Sequence, residues 1–533
     1  MCSIFGAVGK FEREKLKKAN SLMKHRGPDE TNYFIEDDIF LAHNRLSIID
    51  IKNGHQPFIK DNLILVFNGE IYNYMELKKL YLIDYKFSTD SDTEVILAMY
   101  QKYGVKCLKY FEGMFSFCIY DKNQDYFFCA RDRVGEKPFF YSLENRFIFA
   151  SEIAPILEFV DDELDESLEG LYFSSFKHFP APYTYYKNIK RLKPASYIII
   201  KNKKIIKEEF YWKPKVGKYK KVIPIELKKQ VLDVVKKTAR ADVKIALLLS
   251  GGVDSSVIAY CLKSLNIDFV AYAFGKDKND EELKRAKLVA KHLDIKLNEI
   301  YFESDDLEIH KKLIKRYKEP IYLLPLMFAY KLYEKISKDN IKVVLTGNGA
   351  DELFFGYISH PKTALFSYLF KFKDNVEVKK NRIYKSMLKK DKKILDKLFN
   401  DYKEINNCFK NNFYIDFTNF FALFLEGALP MTIIGDLCGM EHSIEVRNPF
   451  FNHNLIEFAY NIHPNQKIGS YFDKEGKTLK KILKEAFYND LPKEIFQAKK
   501  IGFGGSIRES NIFGKNGNEK FANWAMEVFK GIK

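Results

Sequence analysis

The chain reads as a two-part α/β protein, and three features of its 533 residues predict that class. Its length exceeds what one hydrophobic core ordinarily serves. Its first two hundred or so residues are short strand-like runs punctuated by Gly, Asn and Asp turns, with a few helices. Beyond the stretch Trp212 to Pro224, rich in Lys and holding Pro and Gly, apolar strands alternate with helices. That alternation predicts a parallel sheet covered on both faces. The two parts are placed at residues 2–210 and 225–533.

In the first part the strand-like runs include Ile39 to Ala42, Leu63 to Phe67, Met114 to Tyr120, Tyr126 to Ala130 and Arg146 to Ala150. Around Thr93 to Tyr103 the spacing turns helical, with Val95, Ile96, Met99 and Tyr100 on one face. Tyr197 to Ile200 reads as the closing strand. In the second part a helix from about Pro224 to Arg240 leads into the apolar run Ile245 to Leu249. A Gly-rich turn follows, then a helix from about Ser255 to Leu265, a strand Phe269 to Phe274 and a helix from about Glu281 to Leu293. Ile341 to Leu345 is a further strand ending in a second Gly-rich turn. Open parallel sheets bind ligands at the carboxyl ends of their strands, where both turns lie. From about Thr363 onward the chain reads as mostly helical, without repeats.

Composition narrows the function classes. The net charge of +16 comes from 87 Lys and Arg against 71 Asp and Glu, and the excess is spread along the chain beside acids, as in Lys207-Glu208-Glu209. A phosphate-backbone binder clusters its cations, so no nucleic-acid partner is expected. Seven cysteines show no C-x-x-C and no metal-like spacing, which fits reduced thiols in a cytoplasmic chain. No basic-then-apolar signal segment opens the sequence. Ala364 to Phe370 and Asn419 to Leu425 are too short to span a bilayer, so no membrane partner is expected either.

Cys2 follows Met1, and removal of that methionine would leave the α-amine on the cysteine itself. Such an amine, with a reference pKa of about 7.7–8.0, is a base attached to its own nucleophile. An incidental cysteine would look the same, so the neighbouring motifs decide. His25-Arg26-Gly27-Pro28-Asp29, Ala42-His43-Asn44-Arg45-Leu46-Ser47-Ile48, Asn68-Gly69-Glu70-Ile71-Tyr72-Asn73 and Ser91-Asp92-Thr93-Glu94 follow in that order. With Arg131-Asp132-Arg133-Val134-Gly135-Glu136-Lys137-Pro138 and Phe149-Ala150-Ser151-Glu152, residues 2 to about 205 resemble the class II glutamine amidotransferase domain. The resemblance implies an Ntn-hydrolase αββα sandwich that binds L-glutamine. Cys2 would attack the amide carbon, and the Asn68 side chain with the Gly69 N–H would form the oxyanion hole. Arg45 would hold the α-carboxylate, Asp92 and Glu70 the α-ammonium, with Ile48 also in the glutamine site. Two structural alternatives stand beside these: an Arg26–Asp29 loop ion pair, and Asp92 as a helix N-cap. His43 reads as a packed histidine rather than a base.

Leu248-Leu249-Ser250-Gly251-Gly252-Val253-Asp254-Ser255-Ser256 lies between a buried strand and a helix, where small residues let backbone N–H groups face an anion. It resembles the PP-loop of ATP pyrophosphatases, SGGxDS, and is not a Walker A loop. A second loop, Thr346-Gly347-Asn348-Gly349-Ala350-Asp351-Glu352-Leu353-Phe354-Phe355-Gly356-Tyr357, resembles a signature of asparagine synthetases. Asp436, Met440, Ser443 to Phe450, Lys480-Lys481-Ile482-Leu483-Lys484 and Lys500-Ile501-Gly502-Phe503 echo further stretches of that family. The resemblance implies Mg²⁺ on Asp254 and Asp351, and pyrophosphate on Ser250, Gly252 and Ser255 with Gly251 between them. Leu249, Phe274 and Gly347 would lie near the adenosine of ATP, and Lys480 would neutralise charge on the adenylate, with Lys500 on the departing phosphate. A helix-capping Asp351 and a solvated Lys500 are the structural alternatives.

The reaction so implied joins L-aspartate, L-glutamine and ATP to give L-asparagine, L-glutamate, AMP and diphosphate, through an acyl-adenylate and transferred ammonia. Three positions depart from the family pattern. Asn348 stands where an acid is common, Asn452 where Asp follows the P-F-[LF] motif, and Ala195 where Gly is usual. They open the acceptor to another carboxylate, such as a sugar acid, a peptide or a secondary metabolite. A non-catalytic basic interaction protein is the reading from a different class, and a homodimer is left open.

Overall fold

A computed structural model of the chain describes residues 2–302, 307–323, 325–370, 374–385, 387, 392–409, 412–427, 433–473, 475–498 and 517–532. The candidate Lys500 lies outside the described residues.

The N-terminal part contains two six-stranded sheets. Its strands are β1 (Ser3–Val8), β2 (Glu30–Glu36), β3 (Ile39–Arg45), β4 (Phe58–Lys60), β5 (Leu63–Ile71), β6 (Gly113–Asp121), β7 (Tyr126–Arg131), β8 (Phe140–Ser142), β9 (Phe147–Ala150), β10 (Lys190–Arg191), β11 (Ser196–Lys201) and β12 (Lys204–Phe210). One sheet runs β10-β8-β9-β1-β3-β2 and the other β12-β11-β7-β6-β5-β4, all pairs antiparallel. Alternation along the strands gives each sheet two apolar faces. Ile4, Leu41, Ile64, Val66, Ile198 and their neighbours fill the space between the sheets. Leu65, Phe67, Phe117 and Phe128 face the other way and pack under the helix Asp92–Tyr103, while Phe5 and Ala42 pack under Arg13–Ser21. Helix, sheet, sheet, helix is the αββα order expected. The expected closing strand is not the last: β12 adds to the edge of β11, paired Tyr197 to Glu209. Its run of exposed Lys and Glu hid it from a search for apolar alternation.

The C-terminal part is built on one parallel sheet of β13 (Ile245–Leu248), β14 (Val270–Gly275), β15 (Leu297–Tyr301), β16 (Val343–Leu345) and β17 (Glu445–Arg447), in the order β15-β14-β13-β16-β17. The strand order reverses between β13 and β16, which makes their carboxyl ends a topological switch point. The two Gly-rich turns leave the sheet there. β17 is a strand that sequence pattern could not show, because Glu-Val-Arg carries no apolar run. Glu445 and Arg447 are buried and pair with each other, Arg447 Nε donating to Glu445 at 2.6 Å. The region after Thr363 is otherwise mostly helical, as its sequence indicated.

Buried polar contacts join the two parts. Arg447 also reaches Glu70 of β5 at 3.3 Å, Arg26 reaches Asp436 at 2.8 Å, and Arg191 pairs with Glu319 through both carboxylate oxygens at 2.8 and 2.7 Å. Asn448 Nδ2 donates to Glu136 at 2.9 Å, and the part-exposed pair Arg240 and Glu76 adds two bonds at 2.6 and 2.5 Å. Breaking one member of such a buried pair costs more than the pair contributes, because the remaining charge is stranded. Replacing Arg447 with Met, which leaves Glu70 and Glu445 without it, is expected to destabilise the fold by about 3–5 kcal/mol. Thermal unfolding of the variant checks this, and a midpoint equal to wild type would show that the cluster does not depend on Arg447.

Candidate active site

Cys2 precedes β1 and sits one residue beyond the register pair Ser3–Asn44, which sets it beside Arg45 at the end of β3. Its backbone N–H donates to Asn68 Oδ1 at 3.3 Å, and its thiol lies 3.9 Å from the Leu46 carbonyl. Burial pushes that thiol up to about 11. Asn68 is wholly buried, and its Nδ2 has no hydrogen-bond partner among the described residues. Buried donors are normally satisfied. A free amide N–H beside Cys2 is chemically able to donate to an incoming oxygen. The next residue, Gly69, has φ +149°, and a Cβ there would stand 2.1 Å from the Met114 carbonyl oxygen, so only glycine fits.

Arg45 is buried, and its guanidinium donates to the carbonyls of Ile51 at 3.1 Å and Asp50 at 2.7 Å, shaping the loop that follows Ile48. Ile48 itself is buried, and its carbonyl accepts the Asp242 N–H from the C-terminal part at 3.0 Å. Asp92 does not cap its helix: Ser91 does, accepting the Thr93 N–H at 3.1 Å. The Asp92 carboxylate instead accepts the Ile71 N–H at 2.8 Å, just past Glu70. Burial raises both carboxyls above their ordinary range, and Glu70 is raised further by facing Asp92 and Glu445. The Arg26–Asp29 pair does not form. Arg26 binds Glu152 and Asp436, while Asp29 accepts from the Ser47 N–H and Lys342. His43 is packed against β5 with Nε2 3.1 Å from the Phe67 carbonyl, and burial lowers it to about 3, which holds it neutral.

At the switch point β13 runs into the loop Leu249 to Gly252 and the helix Val253–Ser264. Gly251 has φ +70°, and a Cβ there would meet the Ala286 nitrogen at 2.5 Å. The Ser255 hydroxyl ties the turn, accepting the Ser250 N–H at 3.2 Å and lying 3.1 Å from the Ser250 hydroxyl. Leu249 is buried, its N–H bonded to the Tyr272 carbonyl of β14 at 2.8 Å, and Phe274 near the end of β14 packs edge-on against Phe302. The second loop leaves β16 next door, so Gly347 lies against Asp254, where a Cβ would come within 2.8 Å of the Asp254 Cβ.

Lys480 joins the two loops. Its Nζ lies 2.5 Å from Asp254 Oδ2 and 2.5 Å from Asp351 Oδ1, and its side chain is 5% exposed. The lysine takes a left-handed backbone with φ +55°, a strained conformation kept where the surroundings demand it. Gly356 makes room: a Cβ there would fall 1.8 Å from Asp351 Oδ1 and 2.2 Å from Lys480 Cε. Asp254, Asp351 and Lys480 are thus one cluster, although they are far apart in sequence. Two carboxylates converging on an ammonium form a hard-oxygen pair that also suits a divalent cation. Among the described residues no group of three or more His, Cys, Asp or Glu forms a closed metal cage. Mg²⁺ with few protein ligands, completed by phosphate and water oxygens, matches this pair. Glu352, the next residue, is buried, with Oε2 lacking a partner among the described residues, and accepts from the Tyr357 hydroxyl; burial and Asp351 raise it to about 7. Sequence reading gave Glu352 no role, and only its burial beside Asp351 marks it.

The three departures fit their surroundings. Asn348 donates through Nδ2 to Asn448 Oδ1 at 3.2 Å, which a carboxylate could not do. Asn452 caps the helix His453–Tyr460 and donates to Glu112 of the N-terminal part at 3.0 Å, where an aspartate would face a like charge. Ala195 occupies the left-handed region at φ +55°, a conformation natural to the Gly it replaces.

Comparison with known proteins matches both halves of the chain to families. Residues 1–212 match the glutamine amidotransferase domain family, and residues 226–526 match the family described as asparagine synthase. A putative glutamine-hydrolyzing asparagine synthetase 2 of Methanocaldococcus jannaschii is 35% identical over 401 residues, covering 68% of this chain and 76% of its own length. The glutamine-hydrolyzing asparagine synthetase 1 of Bacillus subtilis is 33% identical over 378 residues, covering 67% of this chain and 59% of its own. A second putative asparagine synthetase of M. jannaschii is 30% identical over 502 residues, covering 87% of this chain and 80% of its own. With family matches over both halves, the chain belongs to the asparagine synthase family, with a glutamine amidotransferase domain at its N-terminal end.

Proposed function

We propose that the chain is a glutamine-dependent, ATP-consuming ligase that forms an amide on a carboxylic acid. The observation that carries this reading is the meeting of Asp254, Asp351 and Lys480 at the switch point of a sheet that is locked, through buried ion pairs, to the domain holding Cys2 and the unpartnered Asn68 amide.

Nitrogen release takes place at Cys2. With Met1 removed, the free α-amine accepts the thiol proton, and the thiolate adds to the side-chain amide carbon of glutamine. Asn68 Nδ2 and the Gly69 N–H hold the developing oxyanion. Arg45 binds the substrate α-carboxylate, Asp92 and Glu70 its α-ammonium, and Ile48 lines the same site. The protonated amine returns its proton to the departing ammonia, and water then clears the thioester as glutamate.

Activation of the acceptor takes place at the second site. Ser250, Gly251, Gly252 and Ser255 wrap the phosphates of ATP at the start of the helix Val253–Ser264, and Leu249, Phe274 and Gly347 border the adenosine. Asp254 and Asp351 would hold Mg²⁺, which, when bound, offsets phosphate charge. Lys480 neutralises the charge that builds as the acid carboxylate displaces pyrophosphate. Ammonia then displaces AMP from the acyl-adenylate, giving the amide.

L-Aspartate is the first acceptor to test, because the named relatives are asparagine synthetases. The amide at Asn348 favours a second reading, a different carboxylate, since it cannot act as a base where the family commonly has an acid. Pyrophosphate release with glutamine and ATP, scored across aspartate, sugar acids, peptides and other carboxylates, separates the two. Aspartate giving only background would remove the first; no release with any acid would favour a non-catalytic protein on this fold.

A Cys2→Ala variant is expected to lose glutamine-dependent amide formation while still using added ammonium. Equal loss with both nitrogen sources would contradict separate sites. In Gly356→Ala the new methyl displaces Lys480 from Asp351, so pyrophosphate release should fall on the order of 100-fold, as for a misplaced reacting group. Glutamate release by the same variant should stay near wild type; a parallel fall in both would mean that the substitution unfolds the chain instead.

A further inference from the structure

Arg26 is buried completely and spends each of its three guanidinium nitrogens on a different acceptor. Nε donates to the carbonyl oxygen of Cys2 at 3.2 Å, Nη1 to Glu152 at 3.2 Å and Nη2 to Asp436 at 2.8 Å. The first two acceptors belong to the N-terminal part. The third comes from the other part, more than four hundred residues along the chain. Asp436 lies on Ile433–Leu437, a π-helical turn, a rare wide turn often found where a side chain must be placed for function. That turn packs against β17, which pairs with β16, the strand that feeds the Gly347 to Asp351 loop.

We propose that Asp436 is a positioning residue for the Cys2 nucleophile, supplied to the glutaminase half by the synthetase half. The proposal rests on the glutaminase reading of Cys2. A guanidinium is a planar fork whose orientation is set by what its nitrogens bind. Glu152 fixes one arm, and Asp436 fixes the second. With both in place the plane is determined, and Nε points at the Cys2 carbonyl. That carbonyl is one bond from the Cα that carries both the thiol and the amine. Remove the Asp436 charge and the fork keeps one charged anchor, Glu152, and can pivot about it. The Lys137 ammonium, 3.6 Å from Asp436, then also loses its counter-charge. Cys2 would drift against Asn68, whose Oδ1 it contacts and whose Nδ2 must meet the oxyanion. Asp436 touches neither glutamine nor the reacting atoms. It acts through Arg26, and it makes the geometry of nitrogen release depend on the packing of the part that uses the nitrogen.

A purely structural role for the ion pair makes a different prediction, and a nearby pair serves as the control. Arg191 and Glu319 also bridge the two parts, are also largely buried, and border the same small cavity as Asp436, with no hydrogen bond to Arg26 among the described residues. The test measures glutamate release from glutamine by the full chain, with kcat and KM separated, alongside the thermal midpoint, for wild type, Asp436→Asn, Asp436→Glu and Glu319→Gln. The expected result is that Asp436→Asn lowers kcat about 10- to 100-fold, the scale of a misplacement near one ångström, with KM for glutamine close to wild type. Asp436→Glu, which restores the charge, should recover most of the rate, and Glu319→Gln should keep it even if its midpoint falls. The proposal is overturned if Asp436→Asn keeps the wild-type kcat, if KM moves in place of kcat, or if Glu319→Gln loses as much rate as Asp436→Asn. A wild-type chain that releases no glutamate would remove the glutaminase reading, and this proposal with it.

Discussion

Buried charge shared between the two parts is the constraint on which the rest of the molecule depends. Arg447 sits on the edge strand of the parallel sheet, wholly buried, with Glu445 beside it and Glu70 reaching in from the antiparallel sandwich. Burial acts to raise the Glu445 carboxyl, and Arg447 overcomes it, holding that carboxyl below its ordinary range. Such a cluster is stable only when all its members are present, because each desolvated charge needs its partner. The same logic applies to Arg26 with Glu152 and Asp436. Apolar contact alone would let the two parts slide; paired charges with directed hydrogen bonds specify one docking geometry.

That geometry has chemical value because the two sites sit at opposite sides of this joint. Glu70 follows Asn68 and Gly69 on β5, so the strand that carries the Asn68 amide beside Cys2 is also the strand that meets Arg447. On the other side Asn448, directly after β17, accepts from Thr346 at 2.6 Å and from Asn348 while donating to Glu136. A change in the loop that borders Asp351 therefore has a short, rigid path to the N-terminal part.

Much of the candidate site was legible from local sequence because local backbone demands leave marks. Gly69, Gly251 and Gly356 are glycine because a Cβ would collide with the Met114 carbonyl, with the Ala286 nitrogen and with the Asp351–Lys480 pair. Strands β5, β6 and β7 and the helix Glu281–Leu293 were visible because burial on one or both faces writes a period into the sequence. Where burial is absent or unusual the pattern is silent. β12 is exposed and charged, and β17 is buried but ionic, so neither carries an apolar period. Asp92 shows the limit at a single residue: the dipeptide Ser91-Asp92 offers two possible caps, and only the fold shows that Ser91 is used, freeing the aspartate for the Ile71 N–H.

The sequence by itself determined the two-part α/β architecture, the Asn68-Gly69 motif and the pair of Gly-rich loops, since each is written in patterns within a few residues. Tertiary structure alone decided who meets whom across long separations. It placed Lys480 between Asp254 and Asp351, gave Arg26 to Asp436 instead of Asp29, and set Arg447 under Glu70. A lysine or an aspartate carries no local sign of its eventual partner. Its pairing is set by where the chain returns, and that is fixed only when the sheets and helices pack.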